Sequence, residues 1–160
     1  MELPRRKINR IPEYDYSTSG AYFVTICTKE RKHLLCDIVG DGVPVPKPIG
    51  VIAQGFIHKI PVKYPMVAVD QYVMMPDHIH LLLRIDSGTG NPPPTLGNVM
   101  GWYKYQVTKQ VNLQMNTAGE QLFQRSYYDH VIRCQQDYDE VWEYISNNPV
   151  RWGMQRRGYE

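Results

Sequence analysis

An α+β fold is the architecture this sequence predicts: a ferredoxin-like (RRM-like) antiparallel sheet with two helices on one face and a further C-terminal helix. Three observations predict it. The segments run strand, helix, strand, strand, helix, strand, helix, which is the split βαβ order with one helix added. Only Pro76-Asp77 separates the two middle strands, too short a link for a parallel crossover, so they form an antiparallel hairpin. The apolar pattern also switches between a period of two and a period near 3.6 at each Pro- or Gly-rich break.

The first strand is Ala21 to Thr28, β-branched and aromatic after the turn-like Ser17-Thr18-Ser19-Gly20. Gly40 to Pro48 carries three prolines and reads as a loop or an irregular hairpin tip. Ile49 to Ile60 places Ile49, Ile52, Ala53, Phe56, Ile57 and Ile60 at helical spacing, and Pro61 and Pro65 are expected to end that helix. Strands follow over Val67–Met74 and His78–Ile85. Asp86 to Pro94 is the clearest linker. Thr95 then caps a second helix whose apolar stripe includes Leu96, Val99, Met100, Tyr103, Val107 and Val111. Phe123 to Arg133 reads as a fourth strand. Asp137 with Glu140 resembles a capping box opening the last helix, and Pro149 is expected to end it.

A chain of 160 residues fits one domain, 1–160, with a basic N-terminal arm over 1–19 and a basic C-terminal tail over 150–160. No apolar run is long enough to cross a bilayer, and no apolar core with a cleavage site follows the basic start, so a cytoplasmic protein is expected. Cys27, Cys36 and Cys134 are scattered, suiting core thiols in a reducing compartment better than disulfides or a zinc cage. The net charge of +2 says little about a polyanionic partner, but the cations cluster at both ends.

Alternation along the third strand is the most informative local pattern. Ile79, Leu81, Leu83 and Ile85 point one way, toward the helices; His78, His80, Leu82 and Arg84 point the other, onto what is expected to be an open face. Two imidazoles two residues apart on one face can share an ion. On the last helix Tyr144 and Asn148, four residues apart, lie one above the other and offer a phenol and an amide oxygen. Each pair alone is more simply read as surface imidazoles or as a helix ending before Pro149. Among the 12 tyrosines, Tyr127 is the next candidate nucleophile, and His130 is expected to be structural.

The chain resembles the single-tyrosine HUH transposases of small bacterial insertion sequences, especially the REP-associated tyrosine transposases. The resemblance rests on Tyr14-Asp15-Tyr16-Ser17, on the run from Gly20 to Thr28 and on Met75-Pro76-Asp77-His78-Ile79-His80. It continues through the run from Gln124 to Arg133 and Glu143-Tyr144-Ile145-Ser146-Asn147-Asn148-Pro149. It implies that His78, His80 and Asn148 bind Mg²⁺ or Mn²⁺ and that Tyr144 is the nucleophile, carried on the C-terminal helix. Single-stranded hairpin DNA would be cut and rejoined through a 5′-phosphotyrosine. A phenol with a pKa near 10 is ionised in only about one molecule per thousand at pH 7, a handicap of roughly 4 kcal/mol that a metal bound at the phosphate would offset. Arg5, Arg6, Lys7, Arg10, Lys104, Arg125, Arg133 and Arg151 are the candidate DNA contacts. Relatives act as homodimers that exchange the last helix or as monomers, and both states stay open. The alternative is a domesticated relative that grips nucleic-acid hairpins without cutting them.

Overall fold

The structure is a computed structural model and describes residues 19–86 and 92–156. Its main sheet has four antiparallel strands in the order β4-β5-β1-β6, where β1 is Ser19–Cys27, β4 Val67–Met74, β5 His78–Asp86 and β6 Tyr128–Ile132. Two helices, α1 (Pro48–Lys63) and α2 (Leu96–Met115), provide the connections that the split βαβ order requires. The expected α+β, ferredoxin-like fold is therefore present.

One face of the sheet packs on α1 and α2. Val24 and Ile26 of β1 and Ile79, Leu81, Leu83 and Ile85 of β5 meet Ala53, Ile57 and Ile60 of α1 and Val99, Met100, Tyr103, Val107 and Val111 of α2 in one cluster. The 3.6-residue periodicity of both helices produces these stripes. Tyr103 is fully buried because its hydroxyl finds an acceptor, donating to the Ala53 carbonyl at 2.8 Å. Thr95 caps α2 as expected, its hydroxyl accepting from Asn98 N–H at 3.1 Å.

The opposite face is not open. Helix α3 (Gln135–Arg156) crosses it and closes a second core of Ala21, Phe23, Leu82, Ile132, Val141 and Ile145. The split of β5 side chains between faces follows the expected alternation. The exposure expected of the histidine face does not, since Leu82, Phe23 and Ile132 on that face need an apolar cover and α3 supplies it. A bulge between Val69 and Gln71 interrupts the β4–β5 pairing at Asp70, whose Oδ2 accepts from Tyr138 of α3 and from Arg84 Nε, both at 2.7 Å. The helix is thus pinned at its N-terminal end.

Four boundaries differ from expectation. Cys36–Val39 (β2) and Val43–Pro46 (β3) pair as a two-stranded hairpin within what reads as a proline loop. Pro61 lies inside the last turn of α1, where its missing N–H forfeits a single bond to Ile57. The fourth strand is shorter than Phe123 to Arg133 and touches β1 earlier only through the Thr28–Phe123 bridge. Asp137 is the third residue of α3 and not its cap; its carboxylate reaches back to Arg133 N–H at 3.3 Å and to His130 Nε2 at 2.7 Å.

Pro149 also fails to end its helix, although a proline in a helix interior costs about 3 kcal/mol. It is buried beneath the β2–β3 hairpin. At the hairpin tip Gly42 has φ +116, and a Cβ there would lie 2.6 Å from Val150 Cα and 2.8 Å from the Pro149 carbonyl oxygen. Only a residue without a side chain lets the two backbones approach this closely. The packing of that seam carries α3 past the break.

Candidate active site

His78 and His80 enter the site from the start of β5, and period-two geometry sets them side by side with ring centroids 4.6 Å apart. Both are buried, at 8% and 3% exposure. Opposite them on β1 stand Cys27 and Thr25 in register. Thr25 Oγ1 and His80 Nδ1 are 2.8 Å apart. With that hydrogen bond made, His80 Nε2 remains a buried ring nitrogen without a hydrogen-bond partner. Burial first, and then the neighbouring His78, push the His80 pKa down to about 3, so the imidazole is neutral and able to present a lone pair.

His78 is oriented by its own chain neighbour. Its Nδ1 lies 2.7 Å from Asp77 Oδ1, and since an ionised carboxylate can only accept, Nδ1–H is the donor and Nε2 is left for a ligand. Burial alone would raise the Asp77 carboxyl, but hydrogen bonds from His78 and from Arg31 outweigh it and hold the group at about 2. Arg31 Nε reaches Asp77 Oδ2 at 2.9 Å. A carboxylate behind a histidine in this manner fixes the ring tautomer, the usual support of a metal-binding imidazole.

The other wall is α3. Tyr144 packs edge-on against His80 with centroids 5.4 Å apart and against Phe23 at 5.8 Å, while Trp152, two turns further, lies 6.4 Å from His78. Asn148 is half-buried and lies on the same helical stripe, one turn beyond Tyr144, as a spacing of four residues requires. Its Nδ2 donates to the Tyr144 carbonyl at 3.2 Å, so Oδ1 is the atom left to face a cation. Arg151 stands over the Tyr144 ring with its guanidinium carbon 5.7 Å from the centroid.

Among the described residues no three His, Cys, Asp or Glu side chains are grouped to hold an ion. The candidate donors are instead the two imidazoles of His78 and His80, with the Asn148 amide on the facing helix. The buried, partnerless Nε2 of His80 fits a cation better than any other use, because an orphaned polar atom in a protein interior is costly unless something binds it.

The remaining candidates are dispersed. Lys104 is half-buried and spends its ammonium on the carbonyls of Gln124, Arg125 and Ser126 at 2.6, 2.9 and 3.4 Å, so it braces the loop before β6. Arg133, just past the end of β6, is buried. Arg125 is exposed and, with Tyr127, lines a cleft of about 580 Å³ between that loop and α2, away from the histidines. Trp102 is half-buried, in edge-on contact with Phe56 and Tyr64. His130 is tied to Asp137, the expected structural role. Cys27, Cys36 and Cys134 are free thiols, the first two buried. Arg5, Arg6, Lys7 and Arg10 lie outside the described residues. The sequence reading missed Thr25, Asp77 and Arg31; only Asp77, adjacent to His78 and following a proline, carried a local signal.

No described helix is long and apolar enough to cross a membrane. An uncharacterized protein of Haemophilus influenzae is 31% identical over 167 residues, spanning 94% of this chain and 91% of that protein. A second H. influenzae protein, provisionally named a REP-associated tyrosine transposase, is 28% identical over 145 residues, 87% of this chain and 75% of its own. The fold is similar to that of a REP-associated tyrosine transposase solved bound to a REP hairpin, with a TM-score of 0.61 and 21% identity over 89% of this chain and 75% of that one. The family model described as "Transposase IS200 like" matches residues 17–148, a span that takes in both histidines, Tyr144 and Asn148, and the chain belongs to that transposase family.

Proposed function

We propose that this protein is a metal-dependent, single-tyrosine HUH strand transferase that cuts and rejoins single-stranded hairpin DNA, with Tyr144 as nucleophile. The observation that carries the reading is the packing of Tyr144 against His80 with His78 alongside, which puts a phenol and two ligand-competent imidazoles on facing walls of one site. His78 Nε2, His80 Nε2 and Asn148 Oδ1 would hold Mg²⁺ or Mn²⁺, which when bound polarises the scissile phosphate and neutralises charge gathering on it.

The chain's own groups perform the rest. Tyr144 Oη attacks phosphorus in line, loses its proton to solvent and forms a phosphoester to the 5′ side of the break, while the bond to the 3′ oxygen opens and that oxygen is protonated. One phosphoester replaces another, so no nucleotide hydrolysis is needed, and attack of a 3′-hydroxyl on the phosphotyrosine rejoins DNA. Thr25 and Asp77 hold the two imidazoles in single orientations, so no alignment is lost at the moment of reaction. Arg151, exposed beside the Tyr144 ring, is placed to meet a phosphate oxygen. In this reading residues 1–160 act as one domain, with the basic segments 1–19 and 150–160 and Arg125 as outer phosphate contacts.

The test mixes the protein with end-labelled single-stranded hairpin DNA and Mn²⁺ and looks for a protein–DNA adduct that survives denaturant. The expected result is an adduct with the wild type, none with Tyr144→Phe, and near-equal DNA binding by both. An adduct formed by Tyr144→Phe removes Tyr144 from the mechanism.

A further inference from the structure

We propose that Arg31 is a phosphate-binding residue of this site, gripping the backbone of the bound strand next to His78; the inference rests on the strand-transfer reading above. Four observations lead to it. Arg31 follows β1 in the tight turn Lys29–Arg31, and its guanidinium lies beside the metal-facing histidines because it is anchored on Asp77, the carboxylate that also holds His78. The anchor uses Nε, and Nη1 reaches Cys27 Sγ at 3.3 Å, while the side chain remains 51% exposed. A guanidinium has five donors, and Asp77 and Cys27 leave part of that fork turned to solvent.

The backbone gives the third observation. Glu30 and Arg31 have φ +58 and +55, two successive residues other than glycine in the left-handed region. Each costs roughly 1–2 kcal/mol, which glycine would avoid. A turn that needed only to reverse the chain would gain by glycine at either position. Strain of this kind persists where a side chain is needed at that place, and at position 31 the side chain is the one on Asp77. Finally, the surroundings are basic and open. Lys29, Lys32 and His33 are exposed in the same stretch, with Glu30 the single acid among them and 3.8 Å from Lys32, and Trp152, which reaches His78, also packs on His33 at 5.5 Å, so this turn borders the site mouth.

The chemistry that such a group takes is a phosphodiester oxygen, by charge-assisted hydrogen bonds from a fork whose other side is held rigid. Asp77 would then serve both neighbours at once, aiming the imidazole at the cation and the guanidinium at the phosphate. A contact of this type reads no base, so a labelled oligothymidylate is a sufficient probe.

Binding of that probe is measured by fluorescence anisotropy over a range of salt concentrations, and Mn²⁺ binding by calorimetry without DNA. Arg31→Gln is expected to weaken oligothymidylate binding roughly tenfold and to reduce the slope of log K against log salt by about 0.7, the share of one single-strand phosphate. Its Mn²⁺ affinity stays within about twofold of wild type, which a merely structural role acting through Asp77 and His78 would not allow. Arg31→Lys, which keeps the charge, is expected to retain the slope and lose about threefold in affinity; it also decides the matter if the glutamine variant fails to fold. Lys63→Gln, at the distant end of α1, controls for net charge. The proposal is overturned by an unchanged slope in Arg31→Gln, by an equal loss in Lys63→Gln, or by a loss of Mn²⁺ affinity with DNA binding intact. A wild-type protein that binds Mn²⁺ but no oligothymidylate defeats this inference alone among the two, provided hairpin DNA still yields the Tyr144 adduct; absence of that adduct as well defeats the underlying reading.

Discussion

Asp77 takes hydrogen bonds from both His78 and Arg31, and the two bonds outweigh the burial that alone would raise its pKa. Replacing it by asparagine leaves an amide of the same shape but removes the charge that favours Nδ1–H on His78, so His78 is free to rotate and to change tautomer. Asp77→Asn is expected to lower Mn²⁺ affinity by about 10- to 100-fold, measured by calorimetry, and also to lower the thermal midpoint of the metal-free protein at neutral pH, since the carboxylate is held charged by His78 and Arg31. An unchanged affinity would place Asp77 outside the support of the site. At this scale the sequence was partly legible. His78 and His80 stood out because strand alternation is local, and Tyr144 with Asn148 because helical spacing is. Arg31 did not, since its partner Asp77 is 46 residues away and nothing near position 31 signals the pairing. The surroundings of Lys104 and Arg133 were hidden for the same reason: charge can be counted along a chain, but the carbonyls of 124–126 that meet Lys104 and the burial of Arg133 cannot.

Among the elements, α3 is the least local in origin. Pro149 is a strong stop signal, and by propensity alone the helix should end there; the seam with Gly42 lets it run on to Arg156. Gly42→Val sets a branched side chain at φ +116 and against the Val150 backbone. A loss of about 3 kcal/mol in urea unfolding is expected, together with, under the proposed mechanism, a fall of at least about tenfold in the rate of adduct formation as the end of α3 lifts. A loss below about 1 kcal/mol would show that the hairpin does not hold the helix. The sequence reading left the β2–β3 segment as either a loop or an irregular hairpin tip because Pro44 and Pro46 argue against a strand. In a two-stranded ribbon prolines are tolerated where their missing N–H faces outward, and β3 is exposed along its whole length. The helices α1 and α2 and the strands β4 and β5 were legible because their apolar periods are long and uninterrupted.

For the whole molecule, the telling point is that the helix carrying Tyr144 lies on its own sheet. Phe23, Leu82 and Ile132 are covered by Val141 and Ile145 of the same chain, and Tyr144 meets His80 within one subunit. A mixture of Tyr144→Phe with the double variant His78→Ala and His80→Ala is therefore expected to form no adduct at any mixing ratio, and wild-type activity should scale linearly with protein concentration. Recovery of adduct in the mixture would show that subunits lend each other α3. That α3 would fill the second face was not readable from the sequence, because the face carries histidines and an arginine as well as Leu82 and so reads as half polar.

The double duty of α3 also constrains how such a chain can decay. Tyr144 is half-buried at the border of the second core, so under the proposed mechanism losing its hydroxyl would silence the chemistry and leave the apolar contacts in place. A chain cut after Ile132 instead uncovers Phe23, Leu82 and Ile132 together, an exposed apolar patch of the kind that drives aggregation. Inactive descendants that persist as folded proteins should thus be ones altered at single positions, while truncated ones are cleared.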